Sequence, residues 1–202
     1  MESAVNTLRK QVSFRDLAKE IPSTTYGTFG LYGYPAKFIP QVIAYVLNEY
    51  AKTGMTVFDP FAGYGTTGVV SSVYGHDYEL WDLNPLLATL HKVATMKQPK
   101  QDVENLLSEM RRCNHEFIPD WSNYSYWFPE EFLPFLFKVW GFYHSLKDEE
   151  AKLLLTIPLL KITRIFSYDD IQRQKLSKSP KSRKRVRRLL KDNWQEIFYE
   201  RV

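Results

Sequence analysis

A glycine-containing loop between an apolar run and a helix-forming run is the part of the sequence best suited to bind a ligand. The loop reads Asp59-Pro60-Phe61-Ala62-Gly63-Tyr64-Gly65-Thr66-Thr67. Two alternating glycines let the backbone turn tightly and approach a ligand without interference from side chains. Asp82 follows 19 residues after Gly63, and a carboxylate there can accept hydrogen bonds from both hydroxyls of an adenosine ribose. The spacing therefore indicates a site for a nucleoside-containing ligand.

Two well-known glycine-rich nucleotide-binding motifs differ from this loop in their spacing. The sequence lacks the G-x-x-x-x-G-K-[ST] pattern and its lysine, which argues against a nucleoside triphosphate site. It also lacks the third glycine of the dinucleotide fingerprint, which argues against NAD. A turn without a ligand remains the alternative for a lone Gly-x-Gly. The preceding strand, the following helix and the acid at the expected distance favour the ligand site.

Alternating short strands and helices surround the loop and must position it. Thr56–Phe58 and Asp77–Asp82 are apolar runs typical of buried strands, and each precedes a helical pattern. The helices predicted around them cover 1–23, 40–51 with Gly54 as its C-cap, 66–74 and 85–96, and 24–40 is predicted to be an irregular loop. This alternation predicts a doubly wound α/β domain over residues 1–98.

Three ordered motifs resemble those of the S-adenosylmethionine-dependent DNA amino-methyltransferases, which modify exocyclic amines of adenine or cytosine. The glycine loop is similar to their cofactor motif, Tyr34–Pro40 to a second cofactor motif, and Asp82–Pro85 to their ribose-binding strand end. The resemblance implies a partial Rossmann-like methyltransferase sheet, direct transfer from S-adenosylmethionine, and a restriction-modification context. The cofactor-binding residues it implies are Ala36, Lys37, Phe38, Asp59, Pro60, Phe61, Ala62, Gly63, Gly65, Thr66, Thr67, Asp82, Leu83 and Asn84.

The same resemblance assigns a role to each group of these residues. Asp59, Phe61 and the two glycines shape the methionine side, Asp82 holds the ribose, and Leu83 or Asn84 flanks the adenine. Ala36, Lys37 and Phe38 close over the cofactor. Aromatic faces such as Phe38 and Phe61 also suit a cationic sulfonium, and core packing is their alternative role.

The family's catalytic Pro-Pro-aromatic loop, which orients the flipped target base, has no counterpart here. None of the eleven prolines is adjacent to another, so no catalytic residue is assigned. Further alternating strands are also not recognisable after residue 98. We therefore expect a split enzyme, in which a partner chain carries the catalytic loop in a heterodimer, or self-association covers the open sheet.

The modest net charge of +4 conceals a basic segment over residues 172–191. This segment holds ten basic residues and no acid, so the rest of the chain carries a net charge of −6. Such a segment favours binding of a polyanion, here double-stranded DNA, and a solvated flexible tail is the alternative. Its predicted DNA contacts are Lys175, Lys178, Lys181, Arg183, Lys184 and Arg185, which are interleaved with small hydroxyl residues suited to phosphate contacts.

An aromatic-rich, mostly helical subdomain is predicted over residues 99–202. Twelve of the 27 residues from Phe117 to Tyr143 are aromatic, and helices are predicted over 100–116 and 148–166. The aromatic residues suit a helical core, a partner interface, or a surface on which bases stack.

The remaining composition narrows the function class. A single cysteine, Cys113, excludes a disulfide framework, and the four histidines lack metal-ligand spacing, so no metal is expected. The N-terminus resembles no signal peptide, and Leu153–Phe166 is too short and too charged to span a membrane. Together with the resemblance described above, these features lead us to predict a cytoplasmic DNA methyltransferase that is active only with a partner. The alternative is a non-catalytic DNA-binding or regulatory protein with a methyltransferase-like fold.

Overall fold

The structure is a computed structural model that describes residues 11–17, 19, 23–34, 37–173, 175–191 and 193–202. The chain contacts divide it into two compact units, the first ending at Leu87 and the second beginning at Ala88. The boundary near residue 98 rested on a change in sequence character and stays a prediction.

A β-α-β unit forms the centre of the first unit. Strands β1 (Thr56–Asp59) and β2 (Asp77–Leu80) pair in parallel, with Thr56 opposite Asp77 and Asp59 opposite Leu80. The helices of the first unit are α1 (Phe14–Leu17), α2 (Pro40–Tyr50) and α3 (Thr66–Val73), and a 3-10 helix covers Gly27–Gly30. The next helix, α4 (Leu86–Ala94), has its first two residues in the first unit and the rest in the second. Helix α3 packs against both strands and against α2. The predicted α/β alternation over residues 40–96 is therefore confirmed.

Two details of the first unit differ from the sequence prediction. Gly54 does not cap α2, because the helix ends with Ala51 in an extended conformation, while Gly54 has a φ of +83° in the turn before β1. The helix predicted over 1–23 is limited, among described residues, to Phe14–Leu17; residues 1–10, 18 and 20–22 lie outside the described part.

One face of the two-stranded sheet is open. Side chains alternate along β1, so Val57 and Asp59 face inward while Phe58 remains 52% exposed. Trp81 is 58% exposed and meets Phe58 edge to face, with 5.2 Å between ring centroids. In the described part of the chain the sheet has two strands, and a parallel sheet normally has both faces covered.

The second unit is helical and has its own aromatic core. Its helices are α5 (Val103–Arg112), α6 (Tyr124–Trp127), α7 (Leu133–Ser145), α8 (Glu149–Phe166), α9 (Pro180–Leu189) and α10 (Trp194–Tyr199), with a 3-10 helix over Glu130–Phe132. Phe132 is fully buried and stacks on Phe166 at 4.9 Å, and Phe198 packs against both rings.

Most aromatic residues between Phe117 and Tyr143 serve this core. Nine of the twelve are buried or half-buried, whereas Phe117, Trp121 and Tyr126 are exposed. The prediction of a helical aromatic core is therefore confirmed for the majority. None of the helices in the described ranges is long and apolar enough to cross a membrane.

Candidate cofactor site

The glycine loop joins the end of β1 to the start of α3 through left-handed backbone. Gly63 has a φ of +53° and Gly65, which precedes the first turn of α3, has a φ of +84°. The Gly65 amide donates to the Ala62 carbonyl at 2.7 Å, which closes the turn. Other residues adopt such φ values only with strain, so the two glycines are required by the conformation of the loop.

Asp82 ties the loop to the end of β2. Its Oδ2 accepts a hydrogen bond from the Gly63 amide at 2.8 Å, and its Oδ1 accepts one from the Asn84 amide at 2.8 Å. Backbone bonds from Trp81 to Asp59 and from Ala62 to Trp81, each 2.9 Å, hold the two strand ends together. Each carboxylate oxygen has lone pairs to spare, so Asp82 can still accept ribose hydroxyls.

Asp59, at the end of β1, stabilises the loop through two hydrogen bonds. It is 8% exposed, and its Oδ1 accepts from the Phe61 amide at 3.0 Å while its Oδ2 accepts from the Thr67 hydroxyl at 2.6 Å. Thr66 and Ala62 are also buried, whereas Pro60 is exposed. The inner residues of the predicted set therefore fix the shape of the loop.

Large apolar side chains stand exposed beside the loop. Phe61 is 84% exposed and Leu83 is fully exposed, while Phe38, from the upstream motif, is 53% exposed. Covering such surface stabilises a complex by about 25 cal/mol per Å². These side chains offer exposed apolar and aromatic surface beside the glycine loop.

The upstream motif is anchored to the same unit by a lysine and a tyrosine. Lys37 donates from its ammonium to the Phe29 carbonyl and lies 4.8 Å from the centre of the Tyr64 ring. Burial lowers the pKa of Lys37 and raises that of Tyr64, whose hydroxyl donates to the Thr28 carbonyl. Ala36 lies outside the described residues, and the cofactor contacts of both Lys37 and Ala36 stay predictions.

Tyr34 is a site residue that the sequence assignment omitted. A Cβ atom on Gly63 would lie 3.3 Å from Cε1 of Tyr34, so the ring rests directly on the loop. The Tyr34 hydroxyl also accepts from the Asn84 side chain at 3.4 Å. Its position at the start of the upstream motif was the sequence feature that could have identified it. Tyr34 contacts both the glycine loop and Asn84, and so brings residues of the three motifs together.

We expect Gly63→Ala to lower both the stability of the chain and its affinity for S-adenosylmethionine. The left-handed φ costs an alanine roughly 1–2 kcal/mol, and the added methyl group presses on Tyr34. Gly54→Ala is the matched control, because Gly54 also has a positive φ but has no atom within 4 Å of the added Cβ. Urea unfolding should show a loss in both variants, whereas calorimetry should show weaker binding in Gly63→Ala alone. Equal affinities of the two variants would contradict a ligand at this loop.

Half of the basic segment, from residue 180 to residue 189, forms a helix in the second unit. This helix is α9, whose first turn has a capping box between Ser179 and Ser182. Among the six predicted DNA contacts, four are exposed, namely Lys175, Lys181, Arg183 and Lys184. DNA binding by the segment stays a prediction at this point.

The other two predicted contacts are engaged within the fold. Lys178 donates to the Tyr126 carbonyl and lies 3.2 Å from the Tyr126 ring centroid. Arg185 donates to the carbonyls of Ile165, Ser167 and Asp169 at 2.7–3.0 Å. Partial burial lowers the pKa of both side chains.

Metal ligands do not cluster in the described ranges of the chain. No group of three His, Cys, Asp or Glu side chains there is arranged to hold an ion. The expectation of a metal-free protein stays a prediction.

Two curated proteins are similar to this chain. The type II methyltransferase M.MjaII of Methanocaldococcus jannaschii is 31% identical over 102 residues, which is 50% of this chain and 19% of the relative. The type II methyltransferase M.MvaI of Kocuria varians is 30% identical over 114 residues, which is 48% of this chain and 25% of the relative. The chain is related to type II methyltransferases. It spans a quarter or less of the length of these relatives.

Neither a family model nor a solved structure matches the chain. The relationship therefore rests on the two relatives, while the site rests on the geometry around Gly63 and Asp82.

Proposed function

We propose that this chain is the S-adenosylmethionine-binding subunit of a DNA methyltransferase that modifies an exocyclic amine of adenine or cytosine. The enzyme would belong to a restriction-modification system, with its catalytic Pro-Pro-aromatic loop on a partner chain. The observation that carries the proposal is the 2.8 Å bond between the Gly63 amide and Asp82, because it joins the loop after β1 to the acid after β2. The relationship to type II methyltransferases supports it.

Each residue of the site is proposed to bind a different part of the cofactor. When bound, S-adenosylmethionine supplies an activated methyl group. Asp82 accepts the ribose hydroxyls, Gly63 gives the ligand access to the backbone, and Leu83 covers one face of the base. Phe38 and Phe61 place aromatic faces near the positive sulfonium, an interaction typical of cation recognition.

The partner chain is proposed to supply what this sequence lacks. No two prolines are adjacent in the 202 residues, and the exposed Phe58 and Trp81 leave one sheet face uncovered. Large exposed apolar patches mark surfaces that bind another protein or a ligand. A partner that covers this face would complete the sheet and bring the catalytic loop to the site, and self-association is the other way to cover it.

Two measurements test the proposal. Calorimetry on the purified chain should detect S-adenosylmethionine binding, and labelled methyl groups should enter duplex DNA only when a chain with a Pro-Pro-aromatic loop is co-expressed. The product of a neighbouring reading frame with that loop is the partner to use. Methylation at full rate by this chain alone would contradict the split enzyme, and absent binding by both chain and complex would contradict the cofactor site.

A non-catalytic DNA-binding or regulatory role is the second candidate. One observation favours it: both oxygens of Asp82 already accept backbone amides, so this acid stabilises the loop without a ligand. In that case the chain would bind DNA, and neither it nor its complexes would bind S-adenosylmethionine.

A further inference from the structure

The outer face of α9 and the turn that follows it carry a row of positive charge. Arg183, Lys184, Arg187, Arg188 and Lys191 are all exposed, and with Pro180 they line an open groove of about 500 Å³. Separations of four residues place Arg183 with Arg187 and Lys184 with Arg188 on one side of α9, and Lys191 follows just beyond the end of the helix. Three of these five, namely Arg187, Arg188 and Lys191, are absent from the contacts predicted from the sequence.

Contacts made by the inner face of α9 hold the helix against the second unit, with the row of cations facing solvent. Val186 is 1% exposed, and the buried Ser182 donates from its hydroxyl to the Tyr168 carbonyl at 2.6 Å. Arg185 reaches the carbonyls at the end of α8, as described above. The outer row is thus presented by a helix that is tied to the second unit at several points.

The row has no counter-charge among the carboxylates that the structure describes. None of the ion pairs formed by those residues includes a member of the row. Like charges one turn apart, such as Arg183 with Arg187, destabilise a helix. The macrodipole favours Arg187 and Arg188 in the last turn but disfavours Arg183 and Lys184 nearer the start. Fold stability therefore does not account for the row, whereas an anionic ligand does.

The chemistry of the surface favours a nucleic acid over a membrane. A helix that lies in a membrane interface needs an exposed apolar face beside its cations. In α9 that face is covered, because Val186 is buried and Leu189 packs against the core of the second unit. A row of cations on a helix whose apolar face is buried matches a phosphate backbone, which binds mainly through charge.

We propose that the outer row of α9 binds the phosphate backbone of duplex DNA, with Arg185 as the residue that positions the helix. The choice of DNA rests on the proposed function, and the row deepens it by assigning the substrate contact. Because phosphates carry no sequence information, the row sets the orientation and register of the chain on DNA without reading bases.

The dependence of DNA affinity on salt tests the row. Each phosphate contact contributes about −0.9 to the slope of log K against log salt, so five contacts give a slope of roughly −4.5. The double substitution Arg187→Ala with Arg188→Ala should make the slope shallower by about 2. Two phosphate contacts are lost, while alanine preserves the helix. Fluorescence anisotropy of a labelled duplex with the full chain, from low to moderate salt, measures this change.

A matched variant separates the row from general charge. Lys147→Ala with Lys161→Ala removes the same charge from exposed positions outside the groove and should leave the slope nearly unchanged. Equal slopes in the two double variants would overturn the proposal, as would binding to vesicles of anionic lipid without binding to DNA.

The test also distinguishes the row from the proposed function. Arg187→Ala with Arg188→Ala should retain S-adenosylmethionine binding, because the change lies in the second unit. If the expected slopes are found while S-adenosylmethionine binds neither to the chain nor to its complex with the partner, the assignment of the row is supported and the proposed function is contradicted.

Discussion

Asp82→Asn should weaken S-adenosylmethionine binding about 100-fold. A hydrogen bond to a charged group contributes about 1.5–3 kcal/mol, and the substitution removes the charge from an acceptor that serves the ribose. The amide also turns an NH₂ group toward one of two donors, the amides of Gly63 or Asn84, which now bond to the two carboxylate oxygens. Loss of that bond loosens the loop as well as the ribose contact, and titration calorimetry measures the combined effect.

Asp77→Asn is the control for this variant. Asp77 begins β2, the strand that leads to Asp82, and it is exposed, so the identical chemical change there should alter affinity less than about twofold. Urea unfolding of both variants separates loss of the site from loss of the fold. An Asp82→Asn chain that binds S-adenosylmethionine like the wild type would contradict the proposed contact between Asp82 and the ribose.

The centre of the first unit was predictable because its signals are local. Short apolar runs gave the two strands, and the glycines between them gave the sharp turn that the left-handed Gly63 and Gly65 now show. The 19-residue separation of Gly63 and Asp82 predicted a ribose-binding acid, and the direct hydrogen bond between the two residues was not predicted. The bond forms because parallel strands bring their carboxyl ends to one edge of the sheet. Gly54 shows the limit of such reasoning: it was predicted as a helix cap, but it forms the next turn instead.

Contacts between distant segments could not be predicted from these patterns. Tyr34 reaches Asn84 across 50 residues, and Lys178 reaches Tyr126 across 52, so neither contact has a signal in local spacing. The sequence does contain features that predict α9, but this segment was interpreted from its charge and its small hydroxyl residues. Ser179 and Pro180 form a helix start, and Ser182, Val186 and Leu189 recur at helical spacing on its inner face. Reading that face would have separated Arg185 from the outward cations.

Asp169→Ala should lower the free energy of unfolding of the second unit by about 3 kcal/mol. Asp169 is 1% exposed, and its Oδ2 accepts from Nε of Arg164 at 2.7 Å while its Oδ1 accepts from the Ser177 amide at 2.9 Å. Removal of one partner from a buried ion pair usually costs about 3–5 kcal/mol. The lower end applies because the Arg164 side chain is 31% exposed and water can solvate it in part. Urea unfolding followed by tryptophan fluorescence measures the loss.

Glu149→Ala provides the comparison, because it breaks an ion pair with Lys152 in which the glutamate is 81% exposed. Such a pair contributes roughly 0.5 kcal/mol or less. Asp169 also links the end of α8 to the segment before α9, since its carboxylate accepts from both Arg164 and the Ser177 amide. Asp169→Ala should therefore weaken DNA binding at salt concentrations where Glu149→Ala does not. Similar stability and DNA affinity in the two variants would show that the buried pair neither stabilises the unit nor orients α9.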